Sequence, residues 1–197
     1  MKKAAGRGRR PGSPDTRERI RDAARRRFLA EGYQAVTMRA IALDAGVDVA
    51  LLSYYFGSKQ SLFGAAMALP ANPAELFQGE LDGDIDTLGE RVLRTALAVW
   101  DAPETGVPLA TMAAAAAIDP DLNRLVREII GRELTGRLAE RLDGPDAMAR
   151  AMAFTAQMAG VLFSRYLLRF EPIASMTADE VVRALAPSLQ LALNRPD

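Results

Sequence analysis

The sequence TMRAIALDAGVD, residues 37–48, predicts two short helices joined by a tight turn. Thr37 and Asp48 carry side-chain oxygens that suit the N-caps of the first and second helix. Gly46 permits the turn between them, because glycine has no Cβ and adopts backbone conformations that other residues avoid. This layout is typical of a helix-turn-helix, in which the second helix enters the major groove of DNA.

The second helix, predicted over residues 49–56, has one face for burial and one for contact. Leu52 and Phe56 are four residues apart, and this spacing predicts that they bury the first face. The opposite face presents four residues to the outside: Val49, Ala50, Ser53 and Tyr54.

Neighbouring helices complete a small domain. Three apolar residues recur at every fourth position of the preceding helix and form a buried stripe: Ile20, Ala24 and Phe28. Gly32 suits the residue that closes this helix, and Ser58 suits the N-cap of a fourth. We therefore predict a helix-turn-helix DNA-binding domain over residues 15–62.

The composition argues against most enzyme chemistry. The chain contains no histidine and no cysteine, so it lacks the commonest general base and cannot form disulfides or thiolate metal sites. We predict that it is not an enzyme and that it carries no cofactor and no metal. Three alternating acids, Asp82, Asp84 and Asp86, are interpreted as a solvated loop rather than as metal ligands.

Charge is divided unevenly along the chain. Residues 1–60 carry 13 Lys+Arg and 6 Asp+Glu, a balance of +7, whereas residues 61–197 have a balance of −7. A basic head on an acidic body indicates that the head meets a polyanion. Residues 1–14 are predicted to be a disordered basic arm. Three of its arginines either reach an adjacent minor groove or have no partner: Arg7, Arg9 and Arg10.

The sequence pattern of residues 63–197 predicts helices and no strand. Capping boxes at Thr87 and Thr177 each open a helix, and Asp119 followed by Pro120 opens another. Pro187 is expected to kink or break the last helix.

Two further helices are predicted in this region, an alanine-rich one over about residues 108–118 and a long one over residues 145–170. The whole chain is predicted to be all-α, with about nine helices.

Many positions around the turn match a known signature. They are Thr37, residues 39–42, residues 45–47, residues 52–59, Leu62 and Phe63. On these residues the chain resembles the TetR-type (tetracycline-repressor-like) regulators, over about residues 15–65. The resemblance implies an N-terminal three-helix helix-turn-helix domain and a C-terminal helical ligand-binding and dimerisation domain, residues 63–197.

The resemblance also implies roles for individual residues. Thr37, Tyr54, Tyr55 and Lys59 would bind backbone phosphates, and Arg39 would reach a base edge or a phosphate. The positions that read bases are Val49, Ala50 and Leu51. Tyr55 has the alternative of being a core aromatic residue.

The chain departs from the family pattern at two positions of the recognition helix. Ser53 replaces the usual tyrosine, and Asp48 replaces the usual serine cap, which adds a negative charge near DNA. The apolar residues at the base-reading positions favour thymine methyl contacts or readout of DNA shape.

The long helix carries a stripe of small residues spaced i, i+4, i+7 and i+11: Ala149, Ala153, Ala156 and Gly160. Small residues allow close helix packing, so the stripe predicts either a homodimer interface or a contact inside the chain. The resemblance implies that this helix and the last one form the dimer interface.

Residues for an effector pocket are predicted from the same region. The predicted ligand set is Trp100, Thr111, Met112, Phe154, Gln157 and Met158, with Phe77, Thr155, Leu162 and Arg165 as further candidates. Their alternative is ordinary core packing. The predicted effector is a small, largely apolar molecule.

The sequence thus predicts a cytoplasmic, dimeric, ligand-released repressor that binds a palindromic operator in double-stranded DNA. No uncharged run approaches the roughly 20 residues that a spanning helix needs, so no membrane partner is predicted. Two alternatives stay open, a DNA-binding protein without an effector and a helical enzyme.

Overall fold

The computed structural model describes residues 14–69 and 79–194, and no strand occurs in these two ranges. The chain divides into two compact units between Met67 and Ala68. The sequence analysis placed its domain boundary after residue 62, inside the last helix of the first unit. The predicted basic arm and the pocket candidate Phe77 lie outside the described residues.

Four helices form the N-terminal unit: α1 (Pro14–Ala35), α2 (Met38–Ala45), α3 (Val49–Phe56) and α4 (Lys59–Ala66). Helical geometry in α1 is interrupted at Gly32, which has φ 84° and ψ 164°. Glycine adopts this positive φ without the steric cost that a Cβ would impose.

Three side-chain caps define where α2, α3 and α4 begin. Thr37 Oγ1 accepts from the Ala40 amide at 3.1 Å, Asp48 Oδ1 from Ala50 at 2.7 Å, and Ser58 Oγ from Ser61 at 3.0 Å. Each cap satisfies one of the amides that a helix N-terminus leaves without an internal partner. The three predicted caps are confirmed.

The core of the first unit joins α1 to the other three helices. Its fully buried large side chains are Ile20, Phe28, Ile41, Leu52, Leu62 and Phe63. Phe28, Tyr33 and Phe63 form a cluster of rings whose centroids lie 5.3–5.6 Å apart, within the range that aromatic pairs prefer.

Six further α-helices lie within the described part of the C-terminal unit. They are α5 (Leu88–Asp101), α6 (Pro103–Ala116), α7 (Pro120–Ile129), α8 (Arg137–Arg141), α9 (Ala147–Leu162) and α10 (Ala178–Leu193). Residues 79–81 are also helical, and a 3-10 turn (Ile85–Thr87) precedes α5. π-helical segments follow α7 (Ile130–Gly136) and α9 (Phe163–Leu167).

The centre of this unit is the packing of α10 against α5 and α9. Its most buried residues are Leu88, Leu93, Ala96, Leu97, Ala151, Val181 and Leu189. A Cβ added at Gly89 would lie 2.8 Å from the backbone nitrogen of Gln190. Only glycine therefore permits α5 and α10 to cross this closely.

Several helix boundaries differ from the sequence prediction. The capping box at Thr177 is confirmed: its hydroxyl accepts from the Glu180 amide, and the Glu180 carboxylate accepts from the Thr177 amide. Asp119 also caps α7 as predicted, accepting from Asp121 and Leu122. Thr87 makes no cap hydrogen bond; its hydroxyl donates to the Asp84 carbonyl at 3.3 Å and accepts from Arg91 Nε at 3.2 Å.

Of the kink or break expected at Pro187, a break does not occur, since α10 continues through this residue to Leu193. A proline inside a helix costs about 3 kcal/mol. Buried Ala186 and Leu189 on either side of it keep α10 packed in the core. Exposed Pro187 is tolerated for that reason.

The alanine-rich helix and the long helix have other bounds than predicted. The first begins at Pro103, five residues earlier than expected, and includes Pro108. The second is α-helical only to Leu162 and continues as a π-helical segment to Leu167.

Candidate nucleic-acid interface and ligand pocket

Helix α3 is held in the core by one face and exposed on the other. Leu52 and Phe56 are buried, whereas Tyr54 is 83% exposed and Val49 40% exposed. Ala50 and Ser53 are exposed as well. The four side chains that the sequence predicted to face DNA are therefore accessible on the surface of the first unit.

The remaining predicted DNA-binding residues are all at least partly accessible. Thr37 and Arg39, at the start of α2, are exposed, and Leu51, Tyr55 and Lys59 are half-buried. None of the nine predicted DNA-binding residues belongs to the buried core of the first unit.

Tyr55 differs from the other eight. Its hydroxyl oxygen is buried and has no hydrogen-bond partner among the described residues, and its ring contacts those of Tyr54 and Phe56. A shielded hydroxyl does not reach a phosphate unless the side chain rotates. This geometry favours the core interpretation of Tyr55.

Lys59 is held over an aromatic ring at the start of α4. Its Nζ lies 4.5 Å from the centroid of the Tyr33 ring and 3.4 Å from the Gln34 carbonyl oxygen. A cation over a ring face is attracted by the ring quadrupole. The ammonium is thereby held in place at the start of α4.

Two arginines of α1 that the sequence analysis did not single out hold the helix-turn-helix in place. Arg19 donates to the carbonyl oxygens of Ala45 and Gly46, at the turn itself. Arg27 pairs with both carboxylate oxygens of Asp44 on α2, at 2.5 and 2.9 Å. The spacing of charges on α1 contains no signal for these contacts, because their partners lie 17 to 27 residues away.

The Arg27–Asp44 pair also changes the acidity of both groups. The hydrogen bond from the Arg27 guanidinium lowers the pKa of Asp44 below its ordinary value, and the same bond raises the pKa of Arg27. Both charges are therefore retained at neutral pH, and the pair links α1 to α2.

The C-terminal unit contains an apolar pocket of about 110 Å³. Its lining residues are Leu81, Val92, Ile130, Leu134, Leu138, Phe154, Thr155, Met158, Ala159 and Leu162. Phe154 and Met158 from the predicted ligand set are among them, as are the further candidates Thr155 and Leu162.

The other four residues of the predicted ligand set do not line this pocket. Trp100 stacks on Tyr166 with ring centroids 5.2 Å apart, and Thr111 is exposed and donates to the Val107 carbonyl. Gln157 is exposed on α9, and Met112 is half-buried on α6. Helical spacing predicts the face of a helix on which a residue lies but not the neighbour that it meets.

Six lining residues were in neither the predicted ligand set nor the further candidates: Leu81, Val92, Ile130, Leu134, Leu138 and Ala159. Leu134 and Leu138 have the apolar helical spacing that marks a buried face, but that pattern does not distinguish a pocket wall from plain core. Ile130 and Leu134 lie in the first π-helical segment, which no sequence pattern indicated.

Arg165, a further polar candidate for ligand binding, is buried instead in a structural role. Its guanidinium donates to the carbonyl oxygens of Ile173 and Met176, at 2.5 and 2.8 Å. Beside it, the Tyr166 hydroxyl donates to Asp101 at 2.8 Å, and burial raises the pKa of Tyr166. This cluster holds the segment after α9 to the end of α5.

The predicted small-residue stripe on α9 is exposed at all four positions: Ala149, Ala153, Ala156 and Gly160. The larger apolar side chains of Met148, Met152 and Phe163 are each about half exposed near it. On α10, Leu191 is 70% exposed. The alternative of a contact inside the chain finds no support in this exposure.

The described residues offer neither a metal-binding cluster nor a membrane-spanning helix. Residues 14–69 and 79–194 hold no cluster of three or more acidic residues arranged to bind a metal ion. None of the helices described there is both long and apolar enough to span a bilayer.

A helix-turn-helix in the first unit and an apolar pocket among the described helices of the second are the features of one class of protein, the helix-turn-helix regulators. Residues 20–66 match the family described as "Bacterial regulatory proteins, tetR family", and residues 86–193 match "Tetracyclin repressor-like, C-terminal domain". The chain is 30% identical over 178 residues to the HTH-type transcriptional regulator BetI of Agrobacterium fabrum, covering 86% of this chain and 85% of the relative. The protein belongs to the TetR family and is a DNA-binding, ligand-responsive transcriptional regulator.

Two solved structures are similar to this chain over most of its length. A TetR-family regulator from Streptomyces coelicolor A3 is 35% identical, with a TM-score of 0.49, over 94% of this chain and 98% of that one. A transcriptional regulator from Streptomyces coelicolor A3(2) is 23% identical, with a TM-score of 0.50, over 92% of this chain and 100% of that one.

Proposed function

We propose that the protein is a dimeric repressor that binds a palindromic operator and is released from it by a small, largely apolar effector. The observation that carries the proposal is the division of α3 into a buried face and an exposed one. Leu52 and Phe56 hold the helix, and the exposed face offers four side chains to a groove of DNA: Val49, Ala50, Ser53 and Tyr54.

Contacts to DNA divide into base readout and phosphate binding. The side chains of Val49, Ala50 and Leu51 are apolar, so they read thymine methyl groups or groove shape. Thr37, Tyr54 and Lys59 bind phosphates, which fix the register of α3 on the duplex. Arg39 contributes a guanidinium that is suited to guanine or to a phosphate.

A dimer explains the exposed stripe on α9. The four small residues of the stripe allow a second α9 to approach closely, and Leu191 on α10 extends the apolar surface. A symmetric dimer presents two α3 helices to half-sites about 34–36 Å apart, which is why the operator is palindromic.

Release by an effector is a shift of population between two states of the dimer. In one state the distance between the two α3 helices matches the distance between the two half-sites. The ligand binds more tightly to the other state. The ligand weakens DNA binding only by the difference between its affinities for the two states. The pocket among α5, α9 and the first π-helical segment is the site at which it binds.

The proposed function also implies where the protein acts and whether it acts by binding or by catalysis. Because its partner is chromosomal DNA, the protein acts in the cytoplasm. It acts by binding and not by catalysis, which its membership of a family of transcriptional regulators supports.

The proposal is tested by selecting bound sequences from a random pool of double-stranded DNA with the full-length protein. A palindromic consensus is expected, and a screen of small apolar molecules should then yield compounds that release it. Binding without sequence preference, driven by salt-sensitive phosphate contacts alone, would indicate an architectural DNA-binding protein instead.

A further inference from the structure

The hydrogen-bond donor of the apolar pocket is already used inside the protein. Among the ten described lining residues, nine are apolar and the other is Thr155. Its Oγ1 donates to the Ala151 carbonyl oxygen at 2.9 Å and accepts from Thr135 Oγ1 at 3.0 Å. A hydroxyl has one proton, so Thr155 has no hydrogen left to donate to a ligand.

Two ion pairs lie on the elements around the pocket. Glu133 and Arg137, in and after the first π-helical segment, lie 2.8 Å apart, and Glu80 pairs with Arg91 at 3.1 Å. None of these four lines the pocket. A charged ligand would therefore lose its hydration there without gaining a counter-ion.

The volume limits the size of the occupant. A cavity of about 150 Å³ lined by leucine, isoleucine and phenylalanine stays dry and binds benzene. The pocket described here measures about 110 Å³ and has the same kind of lining. It is therefore suited to one ring or a short branched chain.

We infer that the effector is a small neutral hydrocarbon-like molecule of at most one ring, and not an ion or a ligand that requires a hydrogen-bond donor. This inference rests on the proposed function, because it identifies the chemical class of ligand that the same pocket takes. Toluene represents the expected class, and benzoate and benzylamine are ring compounds of similar size with a negative and a positive charge.

Thermal unfolding of the full-length protein without DNA measures the binding directly. Toluene is expected to raise the midpoint Tm progressively with its concentration, because a ligand that binds only the folded state stabilises it. Benzoate and benzylamine at equal concentrations are expected to leave the Tm unchanged. A shift with either ion as large as that with toluene, or no shift with toluene, overturns the inference.

Variants locate the binding. Ala159 is exposed at the rim of the pocket, so the larger side chain of Ala159→Phe is expected to fill part of the pocket volume. Leu162 is half-buried in the pocket wall, and Leu162→Trp is expected to fill the pocket from there. Both variants are expected to lose the toluene shift. The matched control Ala114→Phe, at an exposed alanine on α6, is expected to keep it. Circular dichroism establishes which variants fold, and a shift that persists in every folded pocket variant overturns the inference.

A gel-shift assay on the same samples separates this inference from the proposed function. If the free protein binds no operator, the proposed function fails while the Tm series still measures the ligand class. If operator binding is specific but the three probes shift the Tm equally, the ligand class is wrong and the DNA-binding function stands.

Discussion

The ammonium nitrogen of Lys59 lies 4.5 Å from the centroid of the buried Tyr33 ring. Tyr33 lies at the end of α1 and Lys59 at the start of α4. The contact therefore joins two helices that are separated along the chain by α2 and α3. The ring is itself fixed by Phe28 and Phe63. A residue predicted to bind phosphate is thus positioned by the aromatic core.

The Lys59→Ala variant is expected to bind the operator more weakly and with a smaller dependence on salt. Each phosphate contact contributes about one unit to the slope of log K against log salt, because binding releases a counterion. The slope is measured by fluorescence anisotropy between low and moderate salt. An unchanged slope would exclude a phosphate contact.

Substitutions of Tyr33 test the positioning of that lysine. Tyr33→Phe keeps the ring face and is expected to keep the wild-type salt slope, whereas Tyr33→Leu removes the ring and is expected to move the slope toward that of Lys59→Ala. Thermal unfolding of both variants measures the loss of packing separately. Equal slopes for the leucine and phenylalanine variants would show that the ring face does not position Lys59.

The Arg39→Ala variant is expected to weaken specific DNA binding by about 1–3 kcal/mol. Arg39 is exposed at the start of α2, so the loss comes from contacts to DNA rather than from the core. Gel shifts with specific and random duplexes measure it. The matched control is Arg132→Ala, at an exposed arginine of the C-terminal unit, and a comparable loss in that control would contradict a direct contact.

The Ala153→Glu variant is expected to be a monomer at micromolar concentration. The carboxylate would be buried without a partner in a close contact between two α9 helices, at a high cost in free energy. Light scattering should give twice the chain mass of 21.3 kDa for the wild type and a single chain mass for the variant. Ala114→Glu, on the exposed face of α6, should remain a dimer. A monomeric wild type would refute the interface.

The Asp44→Asn variant is expected to unfold at a lower temperature than the wild type at neutral pH. Because Arg27 lowers the pKa of Asp44 in the folded state, the stabilisation is present above the pKa of unfolded aspartate, about 4. It is lost as the pH falls through the folded pKa. The difference in Tm should therefore shrink below about pH 4.

A control for this experiment is Asp22→Asn, at an exposed residue of α1. It is expected to leave the Tm nearly unchanged at neutral pH. A Tm difference for Asp44→Asn that stays constant down to acidic pH would contradict the ion pair as the cause.

Local spacing was sufficient to predict the helix-turn-helix and most of its caps. Thr37, Asp48 and Ser58 bond to amides two or three residues ahead, so each cap is complete within a few residues of chain. The same holds for the alternation between buried Leu52 and exposed Ser53, because helical geometry alone sets it. Family membership followed from this part of the sequence.

Contacts between residues that are far apart in the chain were decided only by tertiary packing. Arg19 at the turn, Tyr33 beneath Lys59 and the Gly89–Gln190 crossing all depend on how helices dock. The pocket is the clearest case: Phe154 and Met158 were predicted, whereas Ile130 comes from a π-helical segment without a sequence signature. Helical periodicity fixes the face on which a side chain lies, and only the packed core decides what that face meets.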